Sequence, residues 1–328
     1  MLEKLFQKIS FLSASLVLVL LLGIFTTLFF AAKPAIDEYG FGFLSDPRWN
    51  EEVVVDTPDQ TVQQEKVTTS ETTVDEEEDD LLGDDDLLGD DEEDETSANT
   101  KTVYGGLVPI IGTIFSTLIA MAFAVPIAMG IAVFLAEIAP KNISHFVGIA
   151  IELLAAIPSI IFGMWGLFYF APIISDLFGG YQVSLLTAGL VLGVMILPFM
   201  AAITRDSMRT TPDILKESAY ALGATKFEVI KDVIFPYSKV GIIGSIILSL
   251  GRALGETMAV AFLIGAIYNI PEHITDPTIS IPVAMAVNFG EASGLGESAL
   301  FYLGLILFVF SFALISFAKF YFLKRNKG

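Results

Sequence analysis

Long apolar runs separated by short polar stretches organise this chain. Residues 9–32 carry no charge and contain the run Leu16–Phe30. Residues 107–135, 153–175, 177–204 and 298–318 are likewise uncharged, and 240–271 is apolar except for Arg252 and Glu256. A hydrocarbon core about 30 Å thick takes roughly 20 apolar residues as helix. The pattern therefore predicts six transmembrane helices in an all-α membrane protein. Lys4 and Lys8 precede the first run as they would in a signal peptide, but the run exceeds the usual h-region and Phe29-Phe30-Ala31-Ala32-Lys33-Pro34 is a poor cleavage site. A retained helix over 1–32 is the expectation.

Composition supports a membrane protein. Apolar residues make up 54% of the 328 positions and charged residues 17%, more apolar surface than a soluble protein of this length hides. The net charge of -20 resides in one place: residues 51–95 hold 21 acidic side chains and only Lys66 in opposition, and the remainder is balanced. A basic nucleic-acid binder is excluded. The lack of cysteine excludes disulfides and thiolate chemistry.

Lys and Arg set the orientation. With the N-terminus inside, thirteen cations fall on the inner side and four (Lys33, Arg48, Lys66, Lys101) on the outer. Both termini are then cytoplasmic, and 33–104 is an external segment with a disordered acidic insert over about 51–100. The insert carries a tandem repeat, Asp79-Asp80-Leu81-Leu82-Gly83-Asp84 and Asp85-Asp86-Leu87-Leu88-Gly89-Asp90. A solvated, self-repelling linker and a calcium-responsive or partner-docking segment are both open readings; EF-hand spacing is absent. Residues 105–322 form the main transmembrane domain, and 323–328 a basic cytoplasmic tail.

The inner loop 205–238 carries start and stop signals for two helices. Thr211-Pro212-Asp213 reads as a hydroxyl cap, a first-turn proline and an acid at the positive end. Gly223 ends the first helix, Thr225 with Glu228 forms a capping box for the second, and Pro236 stops it before the fifth span. Glu217-Ser218-Ala219, Gly223, Val233, Phe235 and Pro236 match in spacing the E-A-A, G, I-x-L-P pattern of ABC importer permeases. The resemblance implies a type I ABC importer permease fold, with this loop as the coupling element of a separate ATPase. No Gly-x-x-x-x-Gly-Lys-[Ser/Thr] occurs along the chain, so ATP hydrolysis falls to another subunit.

Arg252 and Glu256 form the second focus. Arg252 lies 13 residues past Lys239, about 20 Å along a helix, near mid-bilayer. A charge there costs at least about 2.5 kcal/mol and must face the bundle or a wet path. Glu256, four residues on, is expected on the same face, free to orient the guanidinium. A forked guanidinium suits a tetrahedral oxyanion; a structural salt bridge is the competing reading. Gly251-Arg252-Ala253-Leu254-Gly255-Glu256-Thr257-Met258-Ala259-Val260, with Glu152–Ser159 and Gly112–Ala120, resembles the PstC-type permeases of phosphate ABC importers. That resemblance implies an oxyanion path at Arg252 and Glu256, with Thr257 beside them. It also implies a second permease of PstA type, two cytoplasmic ATPase subunits, an external phosphate-binding protein, membrane lipid and a prokaryotic inner membrane. No cofactor or nucleic acid is expected, and the chain is not itself an enzyme. Sulfate or molybdate permeases share a related Arg-x-x-Gly-Glu element, so the oxyanion class is firmer than phosphate. An ion-coupled secondary transporter is a further alternative. Glu137 and Glu152 are expected to face water or headgroups, and Pro126 and Pro158 to kink their helices.

Screening confines repulsion from the insert to about 8 Å at physiological ionic strength. Deletion of residues 56–98 is therefore expected to leave uptake of radiolabelled phosphate largely intact; complete loss would make the insert functional.

Overall fold

The computed structural model of the chain describes residues 2–54 and 100–324. Expectations for the body of the acidic insert and for the end of the basic tail lie outside them. The chain divides into two units, one of Met1–Trp49 with Tyr104–Gly328 and one of Asn50–Val103. Strands β1 (Trp49–Val54) and β2 (Thr100–Tyr104) pair, and all their residues but Trp49 and Tyr104 belong to the smaller unit.

The larger unit is helical. Its elements are α1 (Leu2–Tyr39), α2 (Leu107–Val133), α3 (Lys141–Ala155), α4 (Ser159–Trp165), α5 (Ala171–Phe178), α6 (Leu185–Arg209), α7 (Asp213–Ala221), α8 (Lys226–Glu228), α9 (Phe235–Leu254), α10 (Met258–Ala261), α11 (Ile281–Asn288) and α12 (Leu295–Lys324). Wider π turns at Phe134–Ile138, Gly166–Phe170 and Val229–Ile234 extend α2, join α4 to α5, and join α8 to α9. Among the described residues six helices are long and apolar enough to cross a membrane, so this is a multi-pass membrane protein.

Several boundaries differ from the sequence reading: α1 runs past residue 32 to Tyr39, and the fourth span is Leu185–Arg209 rather than 177–204. The third span is Ser159–Phe178 rather than 153–175. Pro158 does not kink a helix but separates α3 from α4, since the residue before a proline is pushed out of helical geometry. Pro126 stays inside a continuous α2.

A row of small side chains determines the central packing. Gly112, Ser116, Ala120, Ala124, Ala128 and Ala132 recur every fourth residue along α2, and the last four are fully buried. This row lies against α6, where Gly189 meets Ile119 and Ser116, and Gly193 meets Phe123 and Ala120. Lipid offers no hydrophobic push between helices, so close approach through small residues supplies the contact energy. As a result α6 is the central helix: 67% of its most apolar stretch is buried, against 28% for α2 and none for α1. The outer helix α1 reaches the body through α12, with Phe25 5.9 Å from Phe308. Exposed Leu, Ile and Phe along α1 form a surface suited to lipid.

A methyl group added at Gly112 would lie 2.1 Å from the Ile279 carbonyl oxygen, whereas one at Gly130 meets nothing. Gly112→Ala is expected to destabilise by roughly 1–3 kcal/mol. Gly130→Ala, in the same helix, should be neutral or stabilising by about 1 kcal/mol. Thermal unfolding in detergent separates the two.

Candidate functional site

The loop after α6 forms the predicted helix–Gly–helix. Gly223 adopts φ +89°, and its N–H donates to Tyr220 O at 2.9 Å while Ala224 N donates to Ala219 O at 3.1 Å. Only glycine takes this turn without strain. The capping box forms as expected: Glu228 accepts from Thr225 N at 2.7 Å and Glu228 N donates to Thr225 Oγ1 at 3.4 Å. Thr211 does not cap α7. Pro212 occupies that position, and the Thr211 hydroxyl is buried with no hydrogen-bond partner among the described residues.

Pro236 also departs from expectation. It sits in the first turn of α9, where its missing N–H costs little. The π turn before it absorbs the irregularity, so α8 continues into the fifth span as one helix from Lys226 to Leu254.

Glu217 and Ser218 are exposed on α7 while Ala219 is half-buried. Ala219, Ala224 and Val233 pack on an apolar cluster of Ala132, Met208, Val229, Ile230, Ile234 and Ile242, separate from the main core. On the outer side of the loop, Leu222 is 90% exposed and Phe227 71%. Both large apolar side chains stand open at the Gly223 turn. Sequence reading missed both; the available signal was a large apolar residue on each side of the Gly223 turn.

Glu137 and Glu152 are not simply solvated. Glu137 pairs with Lys216 of α7 at 2.7 Å, and Glu152 of α3 pairs with Arg205 of α6 at 3.0 Å. Arg209 donates to Ser144 Oγ at 2.6 Å and Leu135 O at 3.3 Å. These contacts satisfy the cations at the end of α6 and hold α3 against it.

The second feature is a broken helix. The sequence predicts one span over 240–271, yet α9 stops at Leu254 and a new short helix begins at Met258. Arg252 is in the last turn of α9, where its charge complements the negative end of the helix dipole. Its guanidinium lies 5.6 Å from the ring centre of Phe199 on α6, a cation–π contact. Because the helix has ended, Glu256 does not stack on the Arg252 face. It turns away, and Oε1 accepts from Ala259 N at 3.2 Å, closing the first turn of α10. Among the described residues no ion pair joins Arg252 and Glu256. Thr257 Oγ1 donates to Gly255 O at 3.4 Å. All three predicted residues are half-buried around one backbone break.

The chain beyond the break returns irregularly. It is held where Ser184 N donates to Leu263 O (2.8 Å), Leu185 N to Asp276 O (3.0 Å) and Leu186 N to Ile274 O (2.8 Å). These bonds satisfy the orphan donors at the start of α6. Tyr268 caps this region: it stacks on Trp49 at 5.0 Å and accepts from Asn288 Nδ2 at 2.8 Å.

Irregular backbone at membrane depth survives only buried in protein or lining a wet cavity, and broken helices that do so typify transporters. Six spans, a helix–Gly–helix loop and an arginine at a helix break define a membrane permease. The chain belongs to the binding-protein-dependent transport system inner membrane component family, whose model matches residues 128–327. It is 48% identical to the phosphate transport system permease protein PstC of Pasteurella multocida (strain Pm70), over 68% of this chain and 76% of that protein. The protein of the same name from Mesorhizobium japonicum (strain LMG 29417 / CECT 9101 / MAFF 303099) is 36% identical over 97% of this chain and 89% of its own length. The fold is also that of a chain from the MetNI methionine ABC transporter in inward facing conformations: TM-score 0.52, 20% identity, covering 63% of this chain and 89% of that one.

Proposed function

We propose that this chain is a permease subunit of an ATP-driven phosphate importer, and that Arg252 is the anion contact on its path. Relatives named as phosphate permeases across nearly the whole chain support the substrate. The observation that carries the residue assignment is the position of Arg252 at the end of a helix broken inside the bundle. There the guanidinium is half-buried with no carboxylate bonded to it among the described residues, so its forked donors are available to phosphate oxygens. Glu256 and Thr257 act beside it by fixing the break: Glu256 caps α10, and Thr257 bonds the Gly255 carbonyl.

The partners follow from the same reading. A second permease of PstA type completes the path, an external phosphate-binding protein delivers the anion, and two cytoplasmic ATPase subunits supply the energy. Glu217, Ser218, Ala219, Gly223 and Pro236 form the coupling loop, and Leu222 and Phe227 are its apolar contacts with the ATPase. The loop faces the cytoplasm with both termini, as the cation bias requires.

Arg252→Gln is expected to abolish phosphate uptake while the complex still assembles; normal uptake would remove the anion role. Gly223→Val forces a β-branched residue into a positive φ, and should abolish copurification of the ATPase. A complex that persists through purification would separate this loop from ATPase binding.

A further inference from the structure

The helix α7 is held weakly by apolar contact. None of its nine residues is buried, and Ala219 alone reaches the apolar cluster below the loop. Its polar attachment is Lys216, whose Nζ lies 2.7 Å from Glu137 Oε1. The two side chains are 16% and 11% exposed, so this pair is far less screened than a surface ion pair. Glu137 sits in the π turn that ends the second span. The other half of the loop needs no such link, because α8 runs by backbone into α9.

The second span is gripped at its other end as well. Thr113 Oγ1 accepts from Ile281 N at 2.8 Å, and Gly112 packs directly on the Ile279 carbonyl. Ile279 and Ile281 terminate the segment that returns from the break at Gly255–Thr257. Between these ends, the row of small side chains fits α2 closely against α6, which carries Phe199 beneath Arg252.

We propose that the Lys216–Glu137 ion pair is a positioning contact for transport, the tether through which movement of α7 reaches α2 and, along it, the segment beyond the broken helix. This rests on the coupling-loop reading above and adds a second route to it. The α8–α9 rod carries Arg252 directly. The tether moves the opposite wall of the break in step with it. Breaking the tether lets α7 shift with the ATPase while α2 lags, so ATP is spent with less phosphate moved.

The test uses the full transporter in proteoliposomes and reads phosphate taken up per ATP hydrolysed, a ratio insensitive to the amount of folded protein. Glu137→Lys and Lys216→Glu singly are expected to lower that ratio about five-fold or more, the lower end of typical allosteric couplings. The double exchange should restore it. Unchanged ratios in the single variants, or no recovery in an assembled double variant, overturn the tether. The chain contains no native cysteine, so Glu137→Cys with Lys216→Cys offers a second measurement. Joining the pair with a short bifunctional thiosulfonate should keep uptake coupled, and arrest of transport by the link would overturn a tether that stays closed. A wild-type complex with ATP-linked uptake and indifferent variants removes this inference alone. A wild-type complex without ATP-linked uptake removes the importer reading with it.

Discussion

A peptide group left without a partner in hydrocarbon costs several kcal/mol, and the structure around residues 255–280 is arranged to meet that cost. The fifth span ends at Leu254, well short of the apolar run that encodes it. The backbone that follows is satisfied piece by piece. Glu256 caps the short α10, Thr278 N bonds Ile264 O at 2.9 Å, and the first donors of α6 bond carbonyls of the returning chain. Leu263, Ile264, Thr278 and Ile279 are fully buried. The two ends of the irregular segment are therefore packed inside the helical bundle, while Ile267, Ile270 and Ile274 between them are exposed, and Arg252 is placed at its edge.

The surrounding helices make this break possible. Close packing along the small-residue row of α2 leaves α6 buried enough to serve as a fixed wall. The other spans keep their large apolar side chains on the outside, where they suit lipid. Polar contacts concentrate at the two ends of the bundle. One end carries the Glu137, Glu152, Arg205, Arg209 and Lys216 contacts. The other carries the aromatic group of Trp49, Tyr104 and Tyr268.

Much of this was readable in the sequence. Six spans, the Gly223 turn and the Thr225–Glu228 box depend on local chemistry: run length, a residue that tolerates positive φ, and an oxygen at a fixed offset from an N–H. What failed depended on longer range. Hydropathy over 240–271 cannot distinguish a helix from a buried irregular chain, since both are apolar; the fold makes the choice through bonds from Ser184, Leu185 and Leu186, whose partners lie 79, 91 and 88 residues away. The expected stacking of Glu256 on Arg252 assumed an unbroken helix and fell with it. Pro236 looks like a stop in the sequence because the π turn before it leaves no sequence mark. Glu137 and Glu152 looked solvated because Lys216 and Arg205 are 79 and 53 residues distant in the chain. The row of small residues every fourth position on α2 was visible all along, to a search for packing rather than for hydropathy.

The uninterrupted passage of α8 into α9 has a mechanical side. From Lys226 to Arg252 the helix covers 26 steps, about 39 Å of rod. A rod of that length works as a lever: a tilt of about 10° at its base swings its tip sideways by about 7 Å. That exceeds the 5.6 Å now separating the guanidinium from the Phe199 ring. A small rocking at the membrane surface is geometrically enough to lift the charge off its aromatic seat.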